Sequence, residues 1–349
     1  MKLLMISTDR KVLDPNSEVR QRMLMLREGF EDLRILLVSK KLFVKDSLQS
    51  NDLLVYEVPF WKAFFWKTDF AFDFVTAQDP FENGLLGWVI SRNKEKPLQL
   101  QVHTDFLSPF FKKESLKNRI RVLLAKLLLP KADSIRVVSE RIKDSLVSTF
   151  SLKPLTVSVL PVFIDREVLL KQPISFSLRE KFHFFSKIVI TVSRLEKEKN
   201  IDLVISAFKL VLEKEPKAGL VICGEGSLRK DLEFQVRKLG LEKNIKFLGW
   251  VTDTASLYRS ADLLVVASSY EGYGMNMVEA SVFGLPIVAT DVGMAKELGA
   301  TIVTLNERDL SEKILESLNN PKKSENHNLF DSKEEYLKAY KISFNLSKL

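Results

Sequence analysis

Two glutamates and two glycines lie close together in the chain with the types and spacing of an anion-binding turn. In the segment SSYEGYGMNMVEASVFGLPIVATDVG, Glu271 and Glu279 are eight positions apart, with Gly272 and Gly274 between them. A helix beginning near Gly274 would point its N–H groups and positive dipole end at an anion, and the glycines would let a phosphate approach the backbone. Glu279, about one turn into that helix, could then accept hydrogen bonds from a ribose diol, while Glu271 would face a reacting sugar.

A second group of charged residues follows the apolar strand KIVITVS at 187–193. Arg194 comes directly after this strand, and Lys199 follows five residues later, ahead of a helix predicted to begin near Asn200. Both cations leave the same strand edge, where they can meet one diphosphate, arginine through a fork of donors and lysine as a point charge. By itself a stretch this rich in charge is typical of a solvated loop. Its combination with the glycine-bounded glutamates favours diphosphate binding.

Metal and redox chemistry find no support in the residue inventory. No Asp-x-Asp pair occurs, the three histidines are scattered at positions 103, 183 and 327, and the one cysteine, Cys223, lies in the apolar run GLVICGEG. These residues offer no set of metal ligands and no disulfide. We therefore expect no metal ion and no cofactor, so the negative charge of a departing diphosphate must be met by the two cations and the helix N-terminus.

Short runs of β-branched and aliphatic residues alternate with amphipathic stretches along the whole chain. Continuous apolar strands joined by crossover helices indicate parallel sheets covered on both faces, so this alternation predicts an α/β protein of two doubly wound, Rossmann-like domains. Their ligand is expected in the cleft at the carboxyl ends of the strands. The predicted strands are 3–8, 34–39, 53–58, 73–78, 98–103, 134–140 and 156–161 in the first half, and 187–193, 219–224, 245–250, 262–268, 286–291 and 301–305 in the second.

The length of 349 residues also suits two domains rather than one. We place the boundary at about residue 164, where VLPVFIDREVL passes from a strand through Pro161 into a charged, helix-prone segment. The predicted domains are therefore 1–164 and 165–330. Residues 331–349 carry a helical pattern after a polar stretch, and this helix could return to the first domain.

Composition and charge limit the partners and the cellular location that we expect for this protein. A formal net charge of +8 favours anionic partners such as nucleotides or acidic lipid surfaces. The basic residues are dispersed and no nucleic-acid-binding module is present, so nucleic acid is not expected as a partner. No stretch approaches the ~20 apolar residues of a membrane span, and the apolar run at the start is too short for a signal peptide. We expect a cytoplasmic protein.

Four motifs in the second half resemble those of a known family. VSRLEKEKNIDLVISAF, LVICGEGSLRKDLE, IKFLGWVTDTASLYRSADLLVVAS and EGYGMNMVEASVFGLPIVATDVG occur between Lys187 and Gly293. Their order and spacing resemble the GT-B-fold retaining glycosyltransferases of family 4, the glycosyl transferases group 1. Four motifs in register are far more specific than one glycine-rich loop. The resemblance implies two Rossmann-like domains facing a central cleft, and a nucleotide-diphosphate sugar as donor substrate.

The same resemblance gives individual residues a role. It implies that Arg194 and Lys199 bind the donor diphosphate, that Glu271 lies beside the transferred sugar and that Glu279 holds the ribose. It also places His103, in QVHTD at the end of a strand, near the sugar, although a lone histidine after a strand is more often structural. Further positions are implied to contact phosphate through the backbone, namely Gly274, Met275 and Asn276, and one to border the base, Val251 after the GW pair.

The loops depart from the family pattern in two places. The double glycine that often follows the first strand is missing, and STDRKVLDPNSEVRQRM stands there instead. The segment after Gly293 is shorter than usual, although Glu297 keeps the acidic position four residues later, so the shape of the donor loop stays open. The opening loop carries four cations that could grip an anionic acceptor: Arg10, Lys11, Arg20 and Arg22.

An amphipathic stretch in the first half could bind a membrane surface. In FFKKESLKNRIRVLLAKLLLPK, residues 110–131, a helical wheel puts an apolar stripe between basic borders, a pattern that suits an anionic bilayer. The pattern also fits an ordinary helix packed on the core with a solvated basic face. The stripe consists of Leu116, Ile120, Leu123, Leu124 and Leu127, and its borders of Lys117 and Arg121 on one side and Arg119 and Lys126 on the other.

Together these observations predict a metal-independent glycosyltransferase of the hexosyltransferase type. It would move a sugar from a nucleotide-diphosphate sugar to a hydroxyl in the synthesis of a glycan or lipid-linked saccharide, with the peripheral location at the inner membrane face that 110–131 allows. Retention of anomeric configuration is implied by the resemblance. Two alternatives stay open: a nucleotide-sugar-binding protein without transfer activity, and a nucleotide-sugar epimerase.

Overall fold

The computed structural model describes residues 1–39, 53–326, 330 and 332–344, together with the backbone of 49–50. The chain forms two compact units, one of Met1–Pro161 with Phe330–Leu349 and the other of Val162–Leu329. The division after Pro161 lies close to the boundary placed at residue 164 from the sequence. One of the three histidines, His327, lies outside the described residues.

The first unit is built on one sheet with the strand order β3-β4-β2-β1-β5-β6-β7-β8. The apolar residues 3–6 of the central strand β1 are fully buried, as expected where helices cover a parallel sheet on both faces. All seven strands predicted for this half are confirmed, and the sequence did not predict the short β3, which pairs antiparallel with β4. The strands are β1 Lys2–Ser7, β2 Asp32–Ser39, β3 Gln49–Ser50, β4 Leu53–Pro59, β5 Phe74–Ala77, β6 Leu98–Val102, β7 Ser134–Val137 and β8 Val157–Val159.

Within residues 1–39 and 53–161, six helices connect the strands of this sheet. Their starts follow local capping chemistry: the Ser17 side chain accepts a hydrogen bond from the backbone N–H of Arg20 at the start of α1, and Ser139 accepts one from Ile142 at the start of α6. The helices are α1 Glu18–Glu28, α2 Phe60–Ala63, α3 Glu82–Lys94, α4 Pro109–Glu114, α5 Leu116–Leu128 and α6 Glu140–Phe150.

The amphipathic stretch 110–131 is not one helix. Extended backbone at Ser115 separates α4 from α5, and the Ser115 side chain caps α5 by accepting a hydrogen bond from the N–H of Asn118. The face of α5 that packs on the unit consists of Asn118, Val122, Ala125 and Leu128.

The apolar stripe of α5 points the other way. The exposed fractions are 72% for Leu116, 52% for Ile120, 59% for Leu123 and 62% for Leu127. An interpretation of this stripe as an ordinary core-packing face is therefore wrong, because the residues that would fill the core are in water.

The second unit has a six-stranded parallel sheet with the order β11-β10-β9-β12-β13-β14. All six strands predicted for this half are confirmed, and the prediction of two doubly wound parallel-sheet domains is confirmed with them. Cys223 at the end of β10 is buried, and burial raises the pKa of its thiol to about 12. The strands are β9 Lys187–Val192, β10 Ala218–Cys223, β11 Ile245–Gly249, β12 Leu263–Val266, β13 Ile287–Thr290 and β14 Thr301–Val303.

Within the described residues, seven helices belong to this unit, and an eighth follows them in the chain. In α9 an apolar face packs on the sheet, with Val204, Ile205, Phe208 and Val211 fully buried. The helices of the unit are α7 Arg166–Lys171, α8 Leu178–Lys181, α9 Ile201–Leu212, α10 Arg229–Lys238, α11 Thr254–Ser260, α12 Met275–Val282 and α13 Glu307–Asn319.

The last helix, α14 Lys333–Ile342, lies in the first unit. Tyr340 is fully buried, and its ring packs edge-on against that of Phe30 with 6.0 Å between the centroids. Its hydroxyl accepts a hydrogen bond from the side-chain amide of Gln101 on β6, 2.9 Å away. The end of the chain thus contributes to the core of the unit in which the chain begins.

Candidate active site

The order of the strands in the second unit defines a crevice. The chain runs from β9 outward to β10 and β11 on one side, and from β12 outward to β13 and β14 on the other. The adjacent strands β9 and β12 therefore form the point at which the winding reverses, and the loops leaving their carboxyl ends diverge. These two loops, 193–200 and 267–274, are the ones in which the sequence placed the charged and glycine-rich motifs.

The two loops meet in an ion pair. The amino group of Lys199 lies 2.5 Å from the Oε1 atom of Glu271, and the Ser268 hydroxyl donates a second hydrogen bond to the same oxygen over 2.8 Å. The lysine is 9% exposed. Its stem is therefore held inside the loop, and its charge is directed at the carboxylate on the neighbouring strand.

Asn200 fixes the position of this lysine. Its backbone adopts the left-handed conformation, with φ of 48° and ψ of 44°, which asparagine tolerates better than most residues. The side-chain amide donates to the carbonyl of Ala267 and to the hydroxyl of Ser269, both over 2.8 Å. In addition the N–H of Ser269 donates to the carbonyl of Glu198 over 2.7 Å. The loop after β9 is thereby bonded to the loop after β12 on both sides of Lys199.

Arg194 is placed differently from Lys199. Its side chain is 66% exposed, and the guanidinium donates to Glu198 over 2.8 Å. The neighbouring Glu196 accepts hydrogen bonds from the hydroxyl and the N–H of Ser227, which hold the pKa of that carboxyl below its usual range. The structure thus brings Lys199, but not Arg194, into contact with Glu271. That both cations bind one diphosphate stays a prediction.

The helix predicted after Gly274 is confirmed as α12, and its first turn demands glycine. Gly274 has a φ of +83°, and a Cβ built there would lie 2.3 Å from the Met277 side chain. At Gly293, with a φ of +51°, a Cβ would lie 2.5 Å from the carbonyl oxygen of Tyr273 and 3.3 Å from the Cβ of Glu271. The backbone at Gly293 thus lies so close to Tyr273 and Glu271 that a larger side chain would not fit there.

Two predicted donor-binding residues, Met275 and Asn276, open α12. Both are half-buried. The side-chain amide of Asn276 donates to the carbonyl of Val192, at the end of β9, over 2.8 Å. The Asn276 side chain therefore anchors the helix to the strand beside it, and the phosphate contact predicted for this position concerns its backbone.

Glu279 and Val251 lie at the edges of the same crevice. The Glu279 carboxylate accepts a hydrogen bond over 2.9 Å from the hydroxyl of Tyr258, a residue of α11 that is 2% exposed. A buried phenol thus orients the carboxylate predicted to hold a ribose. Val251 comes two residues after the end of β11 and is half-buried.

His103 belongs to the first unit, where it follows β6. Its Nε2 atom lies 3.0 Å from the Oε1 atom of Gln101, an oxygen that also accepts a hydrogen bond from Arg136 over 2.7 Å. Because this oxygen is an acceptor, the histidine carries its proton on Nε2. Burial, together with the positive charges of Arg136 and Arg22, lowers the pKa of His103 to about 3. The imidazole is therefore neutral at neutral pH.

Arg136 is 4% exposed and connects His103 to the end of the chain. The guanidinium also donates to the carbonyls of Leu160 and Pro161 and to the hydroxyl of Tyr336 on α14, over 3.0, 2.9 and 3.1 Å. Its charge is thus spread over oxygen atoms of three segments of this unit.

The described residues contain neither a cluster of metal ligands nor a helix that could span a membrane. Among them, no group of three or more His, Cys, Asp and Glu side chains is arranged to hold a metal ion. Within the same part of the chain, no helix has the length and apolar character needed to cross a bilayer.

Both halves of the chain match known protein families. Residues 178–329 match the family described as glycosyl transferases group 1, and residues 44–168 match glycosyltransferase family 4. The two matches together cover more than three quarters of the chain and include the predicted catalytic and donor-binding residues. The chain belongs to the group 1 glycosyltransferases. The family expected from the four sequence motifs is confirmed.

Two relatives of this group 1 chain illustrate the similarity. Alpha-monoglucosyldiacylglycerol synthase of Streptococcus pneumoniae is 30% identical over 263 residues, which are 70% of this chain and 59% of the relative. Mannosylfructose-phosphate synthase of Agrobacterium fabrum is 34% identical over 161 residues, 42% of this chain and 35% of the relative. The matched region thus spans less than two thirds of either relative.

Solved structures of the same fold are similar over the whole chain. Anabaena HepE in complex with UDP has a TM-score of 0.70 at 19% identity, covering 100% of this chain and 97% of its own. Sucrose-phosphate synthase of Thermosynechococcus elongatus has a TM-score of 0.73 at 16% identity, with coverages of 99% and 94%. The expected GT-B fold is confirmed.

Sequence reasoning missed three residues that organise the site of this group 1 chain. Asn200 bonds the two loops to each other, Ser268 donates to Glu271, and Tyr258 orients Glu279. An asparagine directly before a helix gives a weak local signal, because asparagine is common at such positions. The tyrosine gives none, because its contact with Glu279 is set by the packing of α11 against α12. The serine bonds to Glu271 three positions away in the same loop, but a serine in a loop is too common to indicate such a contact.

Proposed function

We propose that this chain is a glycosyltransferase that moves a sugar from a nucleotide-diphosphate sugar to a hydroxyl acceptor, with retention and without a metal ion. The observation that carries the proposal is the pair of buried Lys199 and half-buried Glu271 at the carboxyl ends of β9 and β12, beside the N-terminus of α12. A cation, a carboxylate and a helix N-terminus converge there at the point where the winding of the sheet reverses.

The proposed chemistry follows from where charge develops. When the bond to the sugar breaks, negative charge grows on the diphosphate, and Lys199, Arg194 and the first N–H groups of α12 are the fixed positive groups available to it. Positive charge grows on the sugar ring, and the Glu271 carboxylate stabilises it electrostatically. Glu279 holds the ribose and Val251 borders the base, so both fix the donor but take no part in bond breaking.

Relatives and structural neighbours support this assignment of substrates. HepE has been crystallised with UDP and with UDP-glucose, and the relatives include an alpha-monoglucosyldiacylglycerol synthase and a galactosyltransferase acting on a diphosphoundecaprenol-linked sugar. We infer a nucleotide sugar as donor and a glycan or lipid-linked saccharide as acceptor. His103 is proposed to lie near the transferred sugar, as a neutral group.

A lipid-linked acceptor fits the surface of the first unit. We propose that the exposed stripe of α5 contacts an anionic bilayer at its cytoplasmic face, because four apolar side chains that are 52–72% exposed stand between basic residues. Two of those cations are engaged within the protein, since Arg121 and Lys117 pair with Glu82 at 3.0 and 3.5 Å. Arg119 and Lys126 on the other border are exposed.

Donor binding and product formation test the proposal in sequence. A thermal-shift screen of UDP-, GDP- and ADP-sugars should raise the melting temperature with one of them, because a ligand of the folded state stabilises it. Transfer to a panel of soluble and lipid-linked acceptors, followed by mass spectrometry, should then give a glycosylated product. Binding without any product would favour the nucleotide-sugar-binding alternative. A donor sugar with altered configuration would favour the epimerase.

A further inference from the structure

An aromatic segment on the first unit stands in water without any role in the proposed reaction. The sequence FWKAFFWK at 60–67 has five aromatic residues in eight positions. Three of them are on the surface, with exposed fractions of 38% for Phe60, 52% for Trp61 and 81% for Phe65. Large apolar side chains exposed next to one another in this way mark a contact surface rather than ordinary surface composition.

This segment is held in place by its other side. It begins where β4 ends, at Pro59, and Ala63 in the middle of α2 is fully buried. The Phe64 ring packs edge-on against Phe60 with 5.2 Å between the centroids, and the ring of Trp66 lies 5.5 Å from that of Tyr56 on β4. The exposed rings therefore lie on a turn whose other side packs against the first unit.

The charge of the segment is entirely positive. No acidic residue occurs between Glu57 and Asp69, while Lys62 and Lys67 lie among the aromatic residues and are exposed. The amino group of Lys62 lies 5.2 Å from the centre of the Trp61 ring. Aromatic rings beside lysines are the composition that partitions into the interface of an anionic bilayer, with the rings among the acyl chains and the cations at the headgroups.

We propose that residues 60–67 form a second membrane contact, in which Trp61 and Phe65 insert into the interfacial region of an anionic bilayer. This inference rests on the membrane contact proposed for α5 and deepens it. The two surfaces share one chemistry, exposed apolar side chains beside lysine and arginine, but they lie on separate elements at separate places in the sequence.

The position of the segment connects this contact to the acceptor. In a parallel sheet the carboxyl ends of the strands share one edge, so the turn after β4 and His103 after β6 lie on the same edge of the first sheet. A bilayer that holds residues 60–67 would thus lie beside the sheet edge at which the acceptor hydroxyl is proposed to react.

Tryptophan fluorescence with brominated lipids tests the insertion directly. Vesicles of phosphatidylcholine and phosphatidylglycerol with bromine on the acyl chains should quench part of the fluorescence of the full-length protein. Most of that quenching should disappear in Trp61→Phe, which keeps an aromatic ring at this position. Phe65→Ser should weaken vesicle binding roughly tenfold at high salt, where only apolar contacts persist. The control Phe234→Ser changes a phenylalanine that is 61% exposed on α10 of the second unit, outside the aromatic segment, and should bind as the unaltered protein does.

Three results would overturn this inference. If the protein binds vesicles but shows equal quenching with and without Trp61, and Phe65→Ser binds normally, then α5 alone contacts the membrane. If no vesicle binding occurs while sugar is still transferred to a soluble acceptor, the membrane contacts are wrong and the proposed transferase stands. If Phe65→Ser instead abolishes self-association in sedimentation experiments, the segment is an interface between two copies of the chain.

Discussion

Lys199 and Glu271, 72 positions apart in the sequence, form a direct ion pair at the carboxyl ends of β9 and β12. Hydrogen bonds from Asn200 and Ser268 hold the two loops that carry this pair. In the proposed mechanism, the donor phosphate meets at Lys199 a cation whose position is fixed by Glu271 and Asn200. Pre-organisation of this kind lowers the cost of stabilising charge during the reaction.

Removing the charge of Glu271 should separate binding from catalysis. We expect Glu271→Gln to slow transfer at least roughly 100-fold, because the carboxylate is proposed to stabilise charge that develops only in the transition state. Donor affinity measured by calorimetry should stay within a few fold of the original. The control Glu213→Gln changes an exposed glutamate directly after α9 and should leave both quantities unchanged. Turnover of Glu271→Gln at the original rate would show that the role is wrong.

Lys199 and Arg194 should take the place of a metal ion in stabilising the negative charge of the diphosphate. Lys199→Ala and Arg194→Ala should each slow transfer roughly 100-fold or more, while Arg194→Lys should recover only part of the rate, because a point charge cannot reproduce the two-pronged contact of a guanidinium. Activity should survive EDTA.

Lys197→Ala is the matched control for these variants, since Lys197 is exposed in the same short 3₁₀ turn, Lys197–Lys199. It should transfer sugar at the original rate. A strict requirement for Mg²⁺ or Mn²⁺, with near-normal rates for both alanine variants, would contradict the proposed mechanism.

Donor affinity should depend on the pair Tyr258 and Glu279. Glu279→Ala should weaken donor binding tenfold or more by removing hydrogen bonds to the ribose, and Tyr258→Phe should weaken it by about fivefold, because one hydrogen bond of about 1 kcal/mol no longer orients the carboxylate. Calorimetry measures both effects. Glu312→Ala, on the exposed face of α13, should bind the donor normally. Unchanged affinity in Glu279→Ala would contradict the ribose contact.

The depressed pKa of His103 should make stability depend on pH. Unfolded chains bind this proton near pH 6.5 and the folded chain near pH 3, so between these values the unfolded state holds more protons. Falling pH therefore destabilises the fold.

His103 should thus lower the free energy of unfolding by about 2 kcal/mol when the pH falls from 7 to 5. Urea titrations at both pH values should show a loss smaller by this amount in His103→Gln. His183→Gln, which replaces an exposed histidine, should behave as the unaltered protein does. An equal pH dependence in His103→Gln would show that His103 is not held neutral by burial.

Binding to vesicles should depend on the exposed cations and leucines of α5. Arg119→Glu combined with Lys126→Glu should reduce co-sedimentation with anionic vesicles at low salt, because the attraction of these side chains to lipid phosphates is reversed. Lys209→Glu combined with Lys238→Glu changes the net charge of the protein by the same amount, but at exposed positions of the second unit. This double variant should have little effect on vesicle binding. Equal losses for the two double variants would indicate a response to net charge alone.

Much of the fold could be predicted from the sequence. All of the thirteen predicted strands are present, because fully buried parallel strands are continuous apolar runs that can be recognised without knowledge of their neighbours. The start of α12 at Gly274 was predicted for a similar reason, since a left-handed turn and a helix N-terminus depend on local residues. The short antiparallel β3 carries no such apolar run.

The stripe of α5 shows where sequence information ends. Helical periodicity identifies Leu116, Ile120, Leu123 and Leu127 as one face, but it does not say whether that face meets the core or water. The structure answers this because Val122, Ala125 and Leu128 occupy the side of α5 that packs on the unit.

The two sheets, the family and the loops that carry the charged residues could be recognised in the sequence, because each depends on short runs of neighbouring positions. The contact between Lys199 and Glu271, the bond from Tyr258 to Glu279 and the place of the last helix in the first unit are visible only in the folded chain. These relationships join residues whose positions depend on how separate strands and helices pack. The energy of such packing comes from the complementary shape and polarity of distant side chains, which no local pattern records.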